Sequence, residues 1–157
     1  MLKKLNQMGV SEVPIYYDHG TGKDNVNYLI MELVPNSIET AFVSGASQKE
    51  TIKEMISCLQ KLHEAGYIHR DIKPDAFRLT SENKVKIMDF SISRSYYSNE
   101  IEKIHITPAN NSITRGSAAY CSRYSHQGEE LSRRDDLESL AYALFDLLKY
   151  SLPWMKD

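Results

Sequence analysis

Two acidic side chains and one amine carry the reactive potential of this sequence. They stand in His69-Arg70-Asp71-Ile72-Lys73 and, further along, in Asp89-Phe90. Phosphoryl transfer from a nucleotide asks little covalent work of a protein; the protein positions groups and neutralises charge. An aspartate must take or orient the proton of the attacked hydroxyl, and Asp71 is the candidate. A lysine two residues on can bring a mobile point charge to the transferred phosphate, which suits Lys73. A second carboxylate must hold magnesium, a cation that takes hard oxygen ligands, and Asp89 suits that. The competing reading is two loop carboxylates with capping roles. Placement after a predicted helix and a predicted strand, with Lys73 between, favours the site. His63 and His69 share no helical face and have no evident third ligand, so zinc is set aside and His69 is read as a packed scaffold histidine.

These groups need rigid elements to hold them. The clearest is a helix from Ser47, SQKETIKEMISCLQKLHEAG, whose Ile52, Met55, Ile56, Leu59 and Leu62 form one stripe. Ser47 and Glu50 form a predicted capping box, and Gly66 stands where a left-handed C-terminal cap belongs. A second helix starts at Ser132 behind an S-x-x-D cap. Its predicted apolar face is Leu137, Leu140, Ala141, Leu144, Leu147 and Leu148, with burial on most sides. VNYLIMELV (26–34) predicts one buried strand ending at Pro35-Asn36. PIYYDH (14–19) predicts a shorter strand before it, with a turn at Gly20–Gly22 between them. A short helix is expected around SIETAF, strands at Phe77–Leu79 and around Val85 and Ile87, and a turn near Ser81-Glu82-Asn83. Ser91–Arg115 is polar and aperiodic, and is expected to be a long loop of the functional or mobile kind.

The 157 residues suffice for one ordinary core. Hydrophobic residues make up 41% and charged residues 25%, which places the chain among globular proteins. A formal net charge of −2 gives no electrostatic reason to expect nucleic acid or an anionic membrane. No apolar run is long enough for a membrane span, and MLKKLNQMGV lacks the apolar core of a secretory signal. Cys58 and Cys121 form no CxxC pair and are read as reduced, structural thiols.

The blocks HRDIKPDAF, IMDFSISR, GSAAYCSRYSHQGEELSRRDDLESLAYALF with SLPW, and MELVPNSIETAF resemble the eukaryotic protein kinases, and within them the casein kinase I family. The likeness spans essentially the whole chain in consistent order. It implies an α+β, protein-kinase-like fold, truncated, with residues 1–34 as residual N-lobe strands and hinge and 35–157 as an incomplete C-lobe. It also implies ATP and Mg2+ as cofactors and transfer to protein serine or threonine hydroxyls. By this resemblance Met31 is the gatekeeper, and the main chain of Glu32 and Val34 hydrogen-bonds adenine. Asp71 is the catalytic base, Lys73 the γ-phosphate contact and Asp89 the magnesium ligand. The Ser117 hydroxyl braces the catalytic loop, and Asp136 fastens that loop's backbone. A protein substrate or partner and a cytoplasmic or nuclear location are implied as well; the oligomeric state is left open.

The sequence also departs from the resembled pattern. Ala76 stands where an asparagine holds magnesium, and a methyl group coordinates nothing. Arg78 stands at the apolar floor beneath adenine, where a desolvated guanidinium is costly unless paired or stacked under the base. Ser91 replaces a flexible glycine. Ala119 replaces an arginine that binds anionic groups, so acidic substrates are not favoured. No glycine-rich loop and no V-A-I-K-like lysine occur in the sequence. Three readings follow: a kinase of weak activity, a pseudokinase that binds without efficient turnover, and a truncated fragment with exposed apolar surface.

Overall fold

The computed structural model describes residues 1–43, 48–99, 101–107 and 114–155. Helix α1 (Leu2–Gln7) buries Leu2 and Leu5. Strands β1 (Tyr16–Thr21) and β2 (Asn27–Met31) then form an antiparallel two-stranded ribbon, with Tyr16 opposite Met31 and Thr21 opposite Asn27. Its turn lies at 22–25, not at Gly20–Gly22: Gly22 N–H donates to Val26 O at 2.8 Å and Asn25 has φ 58°.

The expected buried strand over 26–34 is shorter and exposed along its whole length. An apolar run records what a strand could bury, not which neighbours cover it, and among the described residues β2 pairs only with β1. Strand β3 (Asn36–Ser37) and helix α2 (Glu39–Val43) follow Pro35.

Helix α3 (Gln48–Glu64) is the spine of the core. It buries Thr51, Met55, Cys58, Leu59 and Leu62, while Ile56, assigned to the stripe from sequence, is 45% exposed. Ser47, and with it the predicted capping box, lies outside the described residues. Gly66 takes the left-handed cap at φ 89°. After β4 (Tyr67–Ile68) comes a 3-10 turn at Pro74–Ala76. Strands β5 (Phe77–Leu79) and β6 (Val85–Ile87) then form a hairpin, completing the sheet β3-β5-β6. Phe77, Leu79, Val85 and Ile87 pack against Met55, Leu59 and Leu62.

The stretch 91–115 is more ordered than a loop over its described residues. It contains β7 (Arg94–Ser95), paired with β4, and the hairpin β8 (Tyr97–Asn99) with β9 (Ile104–His105). These strands are too short to show a period. Helix α4 (Arg123–His126) leads to α5 (Arg133–Leu147) and a final 3-10 turn, Pro153–Met155.

The start of α5 realises the S-x-x-D cap: the Asp135 carboxylate accepts the Ser132 main-chain N–H at 2.7 Å and its hydroxyl at 3.2 Å. The buried face, however, is Asp136, Ser139, Leu140, Ala143 and Leu147, while Leu137, Ala141 and Leu148 are exposed. Counting apolar residues rotated the face by one position, because two of the buried residues are polar. Both cysteines are free and buried. Burial, reinforced by Glu12 and Glu54, pushes the Cys58 thiol up to about 12. Among the described residues no helix is long and apolar enough to cross a membrane.

Candidate active site

The site begins with a carboxylate that touches no reactant. Asp136, only 2% exposed, accepts the main-chain N–H of Arg70 on Oδ1 and that of His69 on Oδ2, both at 2.8 Å. His63 Nε2 donates to the same Oδ2 at 2.8 Å. A buried charge is stable only when paired and fully hydrogen-bonded, and three donors achieve that here. They also hold Arg70 at φ 72°, a conformation that costs a non-glycine residue about 1–3 kcal/mol. Arg70 Nε donates to Ile92 O at 2.6 Å and Ser93 Oγ to His69 O at 3.1 Å, closing the loop against the next segment.

His69 is fully buried. Its Nε2 lies 2.7 Å from Met88 O. A carbonyl only accepts, so Nε2 carries the proton and Nδ1 is left to accept the Asp71 N–H at 3.3 Å. Met88 N–H donates to Ala76 O at 2.7 Å. Both peptide groups of Met88 are therefore tied to the 69–76 segment, and the next residue is Asp89.

Asp71 is the centre of a tight polar group. Its Oδ1 accepts the Ser117 N–H at 2.7 Å and hydroxyl at 2.8 Å, and its Oδ2 accepts Lys73 Nζ at 2.9 Å. Lys73 also donates to Ser117 Oγ at 3.2 Å. Burial works to raise the Asp71 carboxyl, but the bonds from Lys73 and Ser117 overcome it and hold it below the usual carboxylate value. Lys73 is shifted upward, first by its bond to Asp71 and, against some desolvation, by the charges of Asp71, Asp89 and Asp75. Asp89 thus acts on the same ammonium as Asp71. Sequence reading named Asp71, Lys73, Ser117 and Asp89 as candidates; the fold bonds the first three to one another, while Asp89 acts on Lys73 through its charge and bonds within its own loop.

Gly116 makes this closeness possible. It has φ 89°, and a β-carbon there would stand 2.5 Å from Arg70 O. Sequence reading missed this glycine, although its place directly before Ser117 was a signal. It also missed the tie from His63 to Asp136, because the two are remote in sequence.

Asp89 is exposed and takes φ 56°, with Oδ1 accepting the Ser91 N–H at 3.3 Å. Ala76 is 0% exposed and offers no oxygen from its side chain. Magnesium is commonly held by one or two carboxylates plus water and substrate phosphates, so Asp89 fits such an ion with a minimal protein set.

The residues expected to form the hinge are more committed than expected. Glu32 N–H donates to Ile15 O at 2.8 Å, and its carboxylate accepts Ile15 N–H at 2.9 Å and Lys86 Nζ at 2.6 Å. Burial opposes ionisation of Glu32, yet these donors hold its carboxyl below the usual value. Met31, the expected gatekeeper, ends the exposed ribbon. Val34 is buried, and its carbonyl accepts Arg78 Nε at 2.7 Å; Pro35 O accepts Arg78 Nη2 at 2.7 Å. The condition set for the Arg78 guanidinium, that it be paired, is met by these main-chain carbonyls. A cavity of about 520 Å³ behind Glu32 contains none of the phosphate-directed residues, and its Glu54–Lys84 and Glu32–Lys86 pairs already satisfy one another.

A helix-backed loop carrying Asp71 and Lys73, joined through Met88 to a loop carrying Asp89, is the arrangement of a phosphotransferase of the protein kinase class. The family model described as protein kinase domain matches residues 1–157, and the chain belongs to that family.

Proposed function

We propose that this protein is a casein kinase I-like serine/threonine protein kinase domain whose phosphotransfer is weak. In this reading residues 1–34 form N-lobe strands and the hinge, and 35–157 belong to the C-lobe. The observation that carries it is the Asp71 carboxylate, held by Lys73 and by both donors of Ser117 above a backbone hung from Asp136. Asp71 is kept ionised and aimed, so it can accept or orient the proton of a substrate hydroxyl. Lys73, kept charged, can swing from Asp71 to the transferred phosphate. Ser117 then still restrains Asp71. ATP would lie against residues 31–34, and Asp89 would hold Mg2+. The ion, when bound, neutralises charge on the nucleotide phosphates. Ala76 adds no second ligand, which is the reason to expect slow turnover.

A second reading, a pseudokinase that acts by binding a protein partner, is favoured by Arg78, which occupies hinge acceptors. Phosphotransfer to serine/threonine peptides with Mg-ATP separates the two. The kinase reading expects a low native rate, loss of it in Asp71→Asn and a clear rise in Ala76→Asn. Rates indistinguishable from background in all three proteins support the binding module instead.

A further inference from the structure

Ser125, buried in α4, satisfies both main-chain groups of a single residue. Its Oγ donates to Arg115 O at 2.6 Å and accepts the Arg115 N–H at 3.0 Å. A hydroxyl has one donor and two acceptor positions and can do both at once; a methyl group does neither, and a thiol does so only weakly. Arg115 stands two residues before Ser117, whose N–H and hydroxyl both end on Asp71 Oδ1. Between them, Gly116 packs against Arg70 O. Ser125 is anchored in turn. Its main-chain N–H donates to Ser122 Oγ at 3.2 Å, and the Ser122 hydroxyl donates to Asp135 Oδ1 at 2.7 Å. Ser122 and Asp135 are also buried, and hydrogen bonds made in such an interior are strong. Asp135 and Asp136 are neighbours on α5. Asp136 suspends the loop that carries Asp71, while Asp135, through two serines, holds the segment that carries Ser117.

We propose that Ser125 is a positioning residue for Asp71, acting through residues 115–117 to keep both Ser117 donors on the carboxylate. It touches no reactant itself. Lys73 reaches Asp71 Oδ2 from the carboxylate's own loop, so that bond does not depend on the 115–117 segment. Loss of the Ser125 hydroxyl therefore weakens the donors on Oδ1 and spares the one on Oδ2. With fewer donors the ionised form is less favoured, and the carboxyl titrates higher. The consequence for turnover rests on the reading of Asp71 as the group that meets the substrate hydroxyl. A misaimed carboxylate then lowers kcat and leaves KM unchanged.

The test is the Asp71 titration, followed by carboxyl NMR in the full chain and in its Ser125→Ala, Ser125→Cys and Ser125→Thr variants, with thermal unfolding recorded for each. Ser125→Ala and Ser125→Cys are expected to raise the Asp71 midpoint by about one pH unit. Ser125→Thr keeps the hydroxyl and is expected to leave the midpoint near its native value. On a Ser117→Ala background the Ser125→Ala change should raise it by less than in the native protein, because the two act along one path. An Asp71 midpoint unmoved in Ser125→Ala overturns the proposal however far the unfolding temperature falls, since a serine that only packs α4 gives that result. Equal movement in Ser125→Thr overturns it as well, because the hydroxyl is then not the operative group. If Ser125→Ala shows no cooperative unfolding transition, the midpoint in Ser125→Cys decides. Phosphotransfer to serine/threonine peptides with Mg-ATP is the second readout, with kcat expected about tenfold lower in Ser125→Ala at unchanged KM. A native rate at background, with the midpoint still shifted, overturns the catalytic reading and leaves the positioning of Asp71 standing.

Discussion

Asp136 and His69 stand 67 positions apart in the chain, yet the Oδ2 of the first accepts the main-chain N–H of the second at 2.8 Å. The neighbouring Arg70 N–H bonds to Oδ1 of the same carboxylate at the same distance. One buried side chain on α5 thereby fixes the backbone from which Asp71 projects.

Removing that carboxylate leaves three buried donors without an acceptor. Asp136→Ala is expected to cost about 3–5 kcal/mol, and Asp136→Asn less, about 1–3 kcal/mol, because one acceptor oxygen remains. Urea unfolding of the variants measures both. An Asp136→Ala variant as stable as the native protein would contradict the suspended-loop geometry.

The pair Asp71–Lys73 predicts a stability plateau with two edges. Asp71 has a lowered native value. Its contribution is present above the ordinary aspartate value of about 3.9 and lost as pH falls through the native one. Lys73 has a raised native value. Its contribution is present below about 10.4 and lost as pH rises through the native one. Unfolding free energies across this range should show a shallower acid limb in Asp71→Asn, with Glu32 and Glu138, also lowered, supplying what remains. The alkaline limb should flatten in Lys73→Met. Ser117→Ala should move the Asp71 carboxyl upward in an NMR titration, since it deletes the hydroxyl donor and leaves the main-chain one.

Gly116→Ala places a methyl group against Arg70 O and forces a side chain into a left-handed backbone. A loss of about 1–3 kcal/mol is expected. Asp71 should also lose order, because Ser117 is the next residue and supplies two of its bonds. Thermal unfolding and the Asp71 titration together test this. An unchanged titration with lowered stability would locate the strain elsewhere.

The sequence by itself named a candidate reactive set and determined the two long helices. Asp71, Lys73 and Asp89 could be named as candidates because hard-cation and phosphate chemistry restrict the residue types that can serve. The core of α3 was legible because its apolar residues repeat at the helical period. The tertiary structure alone decided the rest. Ser139 lies on the buried face of α5, where polarity hides it from any count of apolar positions; Asp136, on the same face, was named only through the resemblance. Strand β2 is largely apolar yet uncovered, since local sequence does not specify which surfaces meet. Arg78 acquired its partners from Val34 and Pro35, more than forty positions away, and only the pairing of β3 with β5 brings them within reach. Local periodicity is written in neighbouring residues; polar satisfaction is set by groups the chain brings together from afar.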